Sequence, residues 1–299
     1  MRRGWAGQGG GMDAADVIEE HARSGRRFTA AGVESFVLDH GQGEPVLCLH
    51  GVPASAFLYR KLVRECAARG LRGIAFDLPG LGLAARPEDF DYTWTGLGRF
   101  AAAAVESLGL QRFHLVVHDI GGPVGFELAA RMPERVGSLT VLNAPVQVDT
   151  FRRPLVMEPF AHRGVGEVYL RILNRPLFRW LMGRQGVADR SQVTAAELDA
   201  YLELLSRADG GQAFLKIMRG FELTRTKQDL YVGVLRSDRY PVQIVWGESD
   251  PTLTVTVHGE QARRAAGLNE IHRLPGKHFL QEDNAPALAD LILALVRSA

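Results

Sequence analysis

Short apolar runs alternate with helical periods along most of the chain. Arg27 to His40 alternates loosely around Phe36-Val37-Leu38 and meets a Gly41-Gln42-Gly43 turn, which predicts two antiparallel starting strands. Pro45 to His50 reads as a continuous apolar strand, followed by a helix from Ala56 to Arg69 and a strand from Gly73 to Asp77. A helix from Thr95 to Leu108 leads to a strand from Phe113 to Val117, a second helix runs to Met132, and another strand spans Val136 to Leu142. Between Val146 and Leu235 the period is helical throughout, at Val168 to Leu173, Leu177 to Met182, Ala195 to Leu205 and Gln212 to Phe221. Strands return at Tyr240 to Gly247 and Glu270 to Leu274, with a helix near Val257 to Ala266 and a last one from Ala285 to Arg297. This alternation predicts an α/β fold with a mainly parallel, twisted sheet flanked by helices. The expected division is an N-terminal extension over 1–26, a core over 27–145 and 236–299, and an inserted helical cap over 146–235. The Gly-rich stretch Met1 to Gly11 reads as disordered.

The chain changes character most abruptly at Asp119. An apolar, β-branched strand ends there, and Ile120-Gly121-Gly122-Pro123 opens a helix. Strand, sharp turn and helix form an elbow that projects the turning side chain above the sheet. An aspartate after a strand is often only a helix cap. At an elbow, however, an ionised carboxylate suits displacement at saturated carbon, leaving an alkyl ester that water must hydrolyse with the help of a base and an oxyanion hole.

The other strand ends supply the partners. His50-Gly51-Val52-Pro53 leaves backbone N–H groups free at the edge where open α/β sheets bind ligands, so the amides of Val52 and Ile120 are the candidate oxyanion donors. Asp250 and His278 also follow strands, and the order is nucleophile, acid, histidine. His278 is the candidate base, with Asp250 holding its tautomer. Glu248 is the weaker acid in the same turn. His118 should face away from Asp119, since successive strand residues point to opposite sides. Asp77 reads as a loop organiser, and Asn143 as a residue that reaches the site or, more simply, bonds local backbone.

Composition narrows the field. The chain has 299 residues, 46% hydrophobic content and a net charge of +1, with arginines dispersed among acids rather than massed on one face. That pattern argues against a nucleic-acid partner. No run reaches the roughly 18 apolar residues of a membrane span. Cys48 and Cys66 read as buried thiols of a reducing, cytoplasmic compartment, and no metal cluster or cofactor motif is present. A monomer or homodimer acting on a small hydrophobic organic molecule is expected.

With these residues in hand, Arg27 to Val296 resembles the α/β-hydrolases that use an aspartate nucleophile, the haloalkane dehalogenases and epoxide hydrolases. The carrying motifs are His50-Gly51-Val52-Pro53, Asp77-Leu78-Pro79-Gly80-Leu81-Gly82, His118-Asp119-Ile120-Gly121-Gly122, Trp246-Gly247-Glu248-Ser249-Asp250-Pro251 and Lys277-His278-Phe279-Leu280-Gln281-Glu282-Asp283. Phe57-Leu58-Tyr59-Arg60-Lys61-Leu62 and the terminal His278 run are worded most like the dehalogenases. The resemblance implies a halide-binding tryptophan directly after the nucleophile, where this chain has Ile120, and often an asparagine where it has Val52. Ile120 has no side-chain donor. For an epoxide hydrolase the resemblance implies cap tyrosines that protonate the opening ring, with Tyr231 the best placed and Tyr169 and Tyr201 further candidates. Trp180 is the alternative, an indole donor to a halide or a helix-packing residue.

The expected function is therefore epoxide opening to a vicinal diol through an ester on Asp119, hydrolysed by water that His278 and Asp250 activate. The alternatives are haloalkane or haloacid dehalogenation by the same triad and, more remotely, a non-catalytic binding protein on this fold.

Overall fold

The computed structural model describes residues 12–299, so the expectation for Met1 to Gly11 lies outside the described residues. One sheet organises the molecule. Its strands are β1 (Arg26–Ala30), β2 (Val33–His40), β3 (Pro45–Leu49), β4 (Arg72–Phe76), β5 (Phe113–His118), β6 (Val136–Leu142), β7 (Val242–Gly247) and β8 (His272–Leu274). They lie in the order β1-β2-β4-β3-β5-β6-β7-β8. β2 pairs antiparallel with both β1 and β4, and the pairings from β4 to β8 are parallel. This is the α/β-hydrolase sheet, and each crossover delivers a strand end to the same edge.

Both faces of the sheet are buried, so the central strands are apolar at consecutive positions rather than at alternate ones. Leu47, Leu115, Val117 and Ile244 belong to one core, and Val46, Cys48, Val116 and Val245 to the other. Among the described residues twelve α-helices flank the sheet or fill its insertion. The first, α1 (Ala14–Arg23), starts at an Asp13–Asp16 capping box, an element the periodicity did not predict. α2 (Arg60–Ala68), α3 (Trp94–Ser107) and α4 (Gly121–Arg131) follow in the core. Between β6 and β7 lie α5 (Val165–Ile172), α6 (Arg175–Leu181), α7 (Ala195–Ser206), α8 (Gln212–Arg219) and α9 (Arg225–Leu235). The chain closes with α10 (Glu260–Ala266), α11 (Leu280–Asp283) and α12 (Ala285–Arg297).

Two of these helices alter the expected arrangement. α1 packs against α7, tying the N-terminal segment to the insertion. α9, which the periodicity did not resolve, packs on α4 and α10. Among the described residues no helix is long and apolar enough to cross a membrane.

Candidate active site

The elbow forms where β5 ends. Asp119 has φ of +53°, a left-handed conformation that a non-glycine residue adopts only under strain. The turn is tight because α4 approaches the end of β3: a Cβ on Gly121 would lie 2.4 Å from the Leu49 carbonyl oxygen. Only glycine permits that approach, and the approach aims the Asp119 carboxylate into the space above the sheet.

The predicted partners meet there. The Val52 amide donates to Asp119 Oδ1 at 2.8 Å. His278 Nε2 stands 3.5 Å from Asp119 Oδ2, and its Nδ1 lies 2.8 Å from Asp250 Oδ2. The other Asp250 oxygen accepts from the amides of Thr252 at 2.7 Å and Leu253 at 3.0 Å. Glu248 is exposed and takes no part.

Electrostatics follow from this geometry. Burial alone would raise the Asp119 carboxyl, but the bond and charge of His278, with the Ile120 amide, hold it below its usual range. Burial also opposes ionisation of Asp250, and His278 and Asn143 outweigh it in the same way. His278 is pulled down by burial and pushed up more strongly by Asp250 and Asp119, to about 10. The two carboxylates on either side of His278 thus favour its protonated form.

Residues near the triad hold it in place. His118 has its ring 4.7 Å from that of His278 and donates from Nε2 to the His278 carbonyl at 2.8 Å. It faces away from the cavity as strand alternation requires, yet it supports His278 from behind. Burial lowers it to about 3, so it is neutral and positions without titrating. Asp77 caps its own loop, accepting from Ala56 at 2.7 Å and Leu83 at 2.6 Å, in the organising role expected of it. The carbonyls of Gln185 and Gly186, in the turn after α6, accept from the amides of His278 and Phe279, so the insertion holds the histidine loop.

Asp119, Ile120, Val52 and His278 line a cavity with about 100 Å³ of water-accessible space between sheet and insertion. Its walls are mostly apolar, with Phe151, Phe160, Phe178, Phe214, Leu205 and Met218 among them. Polar side chains reach it from Arg153, Tyr169, Gln185 and Thr252.

Of the insertion residues singled out in the sequence, Tyr169 alone lines this cavity. Tyr231 does not, because α9 turns it toward α4, where its hydroxyl donates to Glu127 at 3.3 Å beside Lys227. Tyr201 also points elsewhere, donating to Glu282 at 2.6 Å. Trp180 is 54% exposed, beneath the Arg184 guanidinium, and is neither a packing residue nor a cavity donor. Arg153 sits in an irregular segment and Gln185 in a single π-helical turn, neither of which has a period to show which way a side chain points.

A strained elbow carboxylate, a histidine and a second carboxylate gathered at the C-terminal edge of this sheet define the class, an α/β enzyme of the hydrolase type. Comparison with known proteins agrees. A family model described as α/β hydrolase fold matches residues 44–285. A haloalkane dehalogenase of Mesorhizobium japonicum is 32% identical over 279 residues, 86% of this chain and 86% of that protein. The crystal structure of Cfl2 from Burkholderia cenocepacia has a TM-score of 0.78 and 24% identity, covering 91% of this chain and 95% of that one. That of an epoxide hydrolase from Vigna radiata has a TM-score of 0.74 and 22% identity, covering 92% and 98%. The chain belongs to the α/β hydrolase fold family.

Proposed function

We propose that this protein hydrolyses epoxides to vicinal diols with Asp119 as nucleophile. The observation that carries the reading is the pairing, in one apolar cavity, of the Asp119 carboxylate with the Tyr169 phenol, while no tryptophan lines that cavity among the described residues. A phenol is suited to give a proton to an opening epoxide oxygen, whereas an indole N–H, the halide donor that the dehalogenase resemblance implies, has no counterpart in this lining.

Asp119 Oδ2 attacks an epoxide carbon, the carbon–oxygen bond of the ring breaks, and the alkoxide takes the Tyr169 proton. The ester on Asp119 is neutral, so one of the two charges that raise His278 disappears and the ring releases its proton to solvent, recovering one from solvent when the Asp119 carboxylate is free again. His278 Nε2 then takes a proton from water as the hydroxide adds to the ester carbonyl, and the amides of Val52 and Ile120 hold the oxyanion. Collapse expels the diol oxygen, which takes the proton from His278. The Asp119 carboxyl proton returns to the tyrosinate.

Carbon–halogen hydrolysis by the same triad is the second reading, favoured by the haloalkane dehalogenase relative. A mixed panel of epoxides and bromoalkanes, followed for diol and bromide together with Asp119→Ala as control, separates the two. Diol without bromide is expected, and bromide release alone would overturn the epoxide reading.

A further inference from the structure

The substrate cavity contains a positive charge that the proposed reaction does not use. Arg153 lines the same walls as Asp119 and is the one Lys or Arg side chain to do so among the described residues. Its guanidinium lies over the Phe221 ring, 4.5 Å from the centroid, and donates from Nη2 to the Met218 carbonyl at 3.1 Å. These contacts fix the plane of the group but do not neutralise it. No carboxylate among the described residues pairs with it: Glu158, the acid whose field reaches it, is engaged with His162 at 3.1 Å. Its Nε is buried without a hydrogen-bond partner.

Placing an arginine charge against apolar walls is costly unless an anion meets it, and an unsatisfied buried donor adds to that cost. Asp119 does not serve as that anion, since its oxygens are engaged by the Val52 amide and His278. The guanidinium therefore lines the cavity with no anion of the described residues paired to it. Resting on the reading of this cavity as the substrate site, we propose that Arg153 anchors a carboxylate on the substrate, so that the preferred substrates are epoxides of organic acids with an apolar body between the reactive ring and the carboxylate. The phenylalanines of the cavity accept the body, and the guanidinium fixes which end reaches Asp119. Carboxylate recognition by a fixed guanidinium fork is strong and directional.

The test separates binding from turnover. Titration calorimetry with 4-phenylbutanoate and its neutral counterpart 4-phenylbutanamide, neither of which has a ring to open, reads the anchor alone. The wild-type protein should bind the carboxylate about tenfold more tightly than the amide. In Arg153→Met that ratio should fall to about one, and in Arg153→Lys, which keeps the charge but not the fork, to between the two. Equal affinities in the wild type, or a ratio that survives Arg153→Met, would overturn the proposal. Should Arg153→Met not fold, the wild-type ratio and its fall in Arg153→Lys decide. Carboxylate selectivity in a protein that produces diol from no epoxide would leave the anchor standing and remove the epoxide reading. Diol production without selectivity would do the reverse.

Discussion

Asn143 Nδ2 donates at 2.6 Å to the same Oδ2 of Asp250 that lies 2.8 Å from His278 Nδ1. Asn143 Oδ1 accepts the Gly247 amide at 3.1 Å, so one side chain ties the end of β6 to the end of β7 and fixes the acid's oxygen toward the histidine. Its φ of +35° is a left-handed conformation that asparagine tolerates better than most residues. Asn143→Ala should slow hydrolysis of the Asp119 ester about tenfold, the scale of a lost hydrogen bond to a charged group, while alkylation changes less. Rapid-quench kinetics should show the ester accumulating. A slowed alkylation with no accumulation would place Asn143 outside the second half-reaction.

Gly51 tests whether the Asp119 carboxylate is held where the elbow places it. A Cβ at position 51 would lie 2.1 Å from Asp119 Oδ1 and 2.5 Å from its Cβ, so Gly51→Ala must displace the carboxylate from the Val52 amide. Turnover should fall about 100-fold, the scale set by removing one oxyanion donor, with circular dichroism unchanged. Undiminished turnover would mean that this pocket position is not where the carboxylate works.

The triad is legible in the sequence because Asp119, Asp250 and His278 each follow the end of a strand, and parallel strands with right-handed crossovers bring those ends to one edge. The insertion is legible only as helices. Its periods reveal that α5 to α8 bury one face, but not which neighbour that face meets, and α9 has too weak a period to appear. Tyr231 therefore looks like the residue nearest the sheet's return, whereas packing of α9 on α4 turns it toward Glu127. Asn143 reads as a local turn residue because the sequence offers no sign that β7 lies beside β6 with Asp250 within reach.

The pH dependence follows from His278. Its pKa is raised to about 10, so the stability it contributes is fully present below its ordinary value near 6.5 and is lost as pH rises through the folded value. Asp119 and Asp250 are depressed, so their contribution is present above the ordinary carboxylate range and is lost as pH falls below it. The difference in melting temperature between the wild type and His278→Gln should therefore shrink steadily as pH is raised from about 7 to about 10. A difference constant across that interval would show that His278 is not held charged by its carboxylates.

Tyr169 and Tyr231 separate leaving-group assistance from packing. Tyr169 lines the cavity with Asp119, so Tyr169→Phe should slow alkylation of Asp119 by about 100-fold, within the usual range of general acid catalysis, and leave ester hydrolysis unchanged. Tyr231 is fully buried against Phe126 and Trp94, and burial pushes its phenol far above its ordinary range, with Glu127 and Glu222 adding to the effect. Tyr231→Phe keeps the ring and removes only the hydroxyl bonded to Glu127, whose carboxylate still has Lys227. The expected cost is about 1 kcal/mol of stability, with both half-reactions intact. Single-turnover kinetics on the two variants decide between them: slowed alkylation in Tyr231→Phe and not in Tyr169→Phe would require α9 to leave α4 and bring Tyr231 to the cavity before the ring opens.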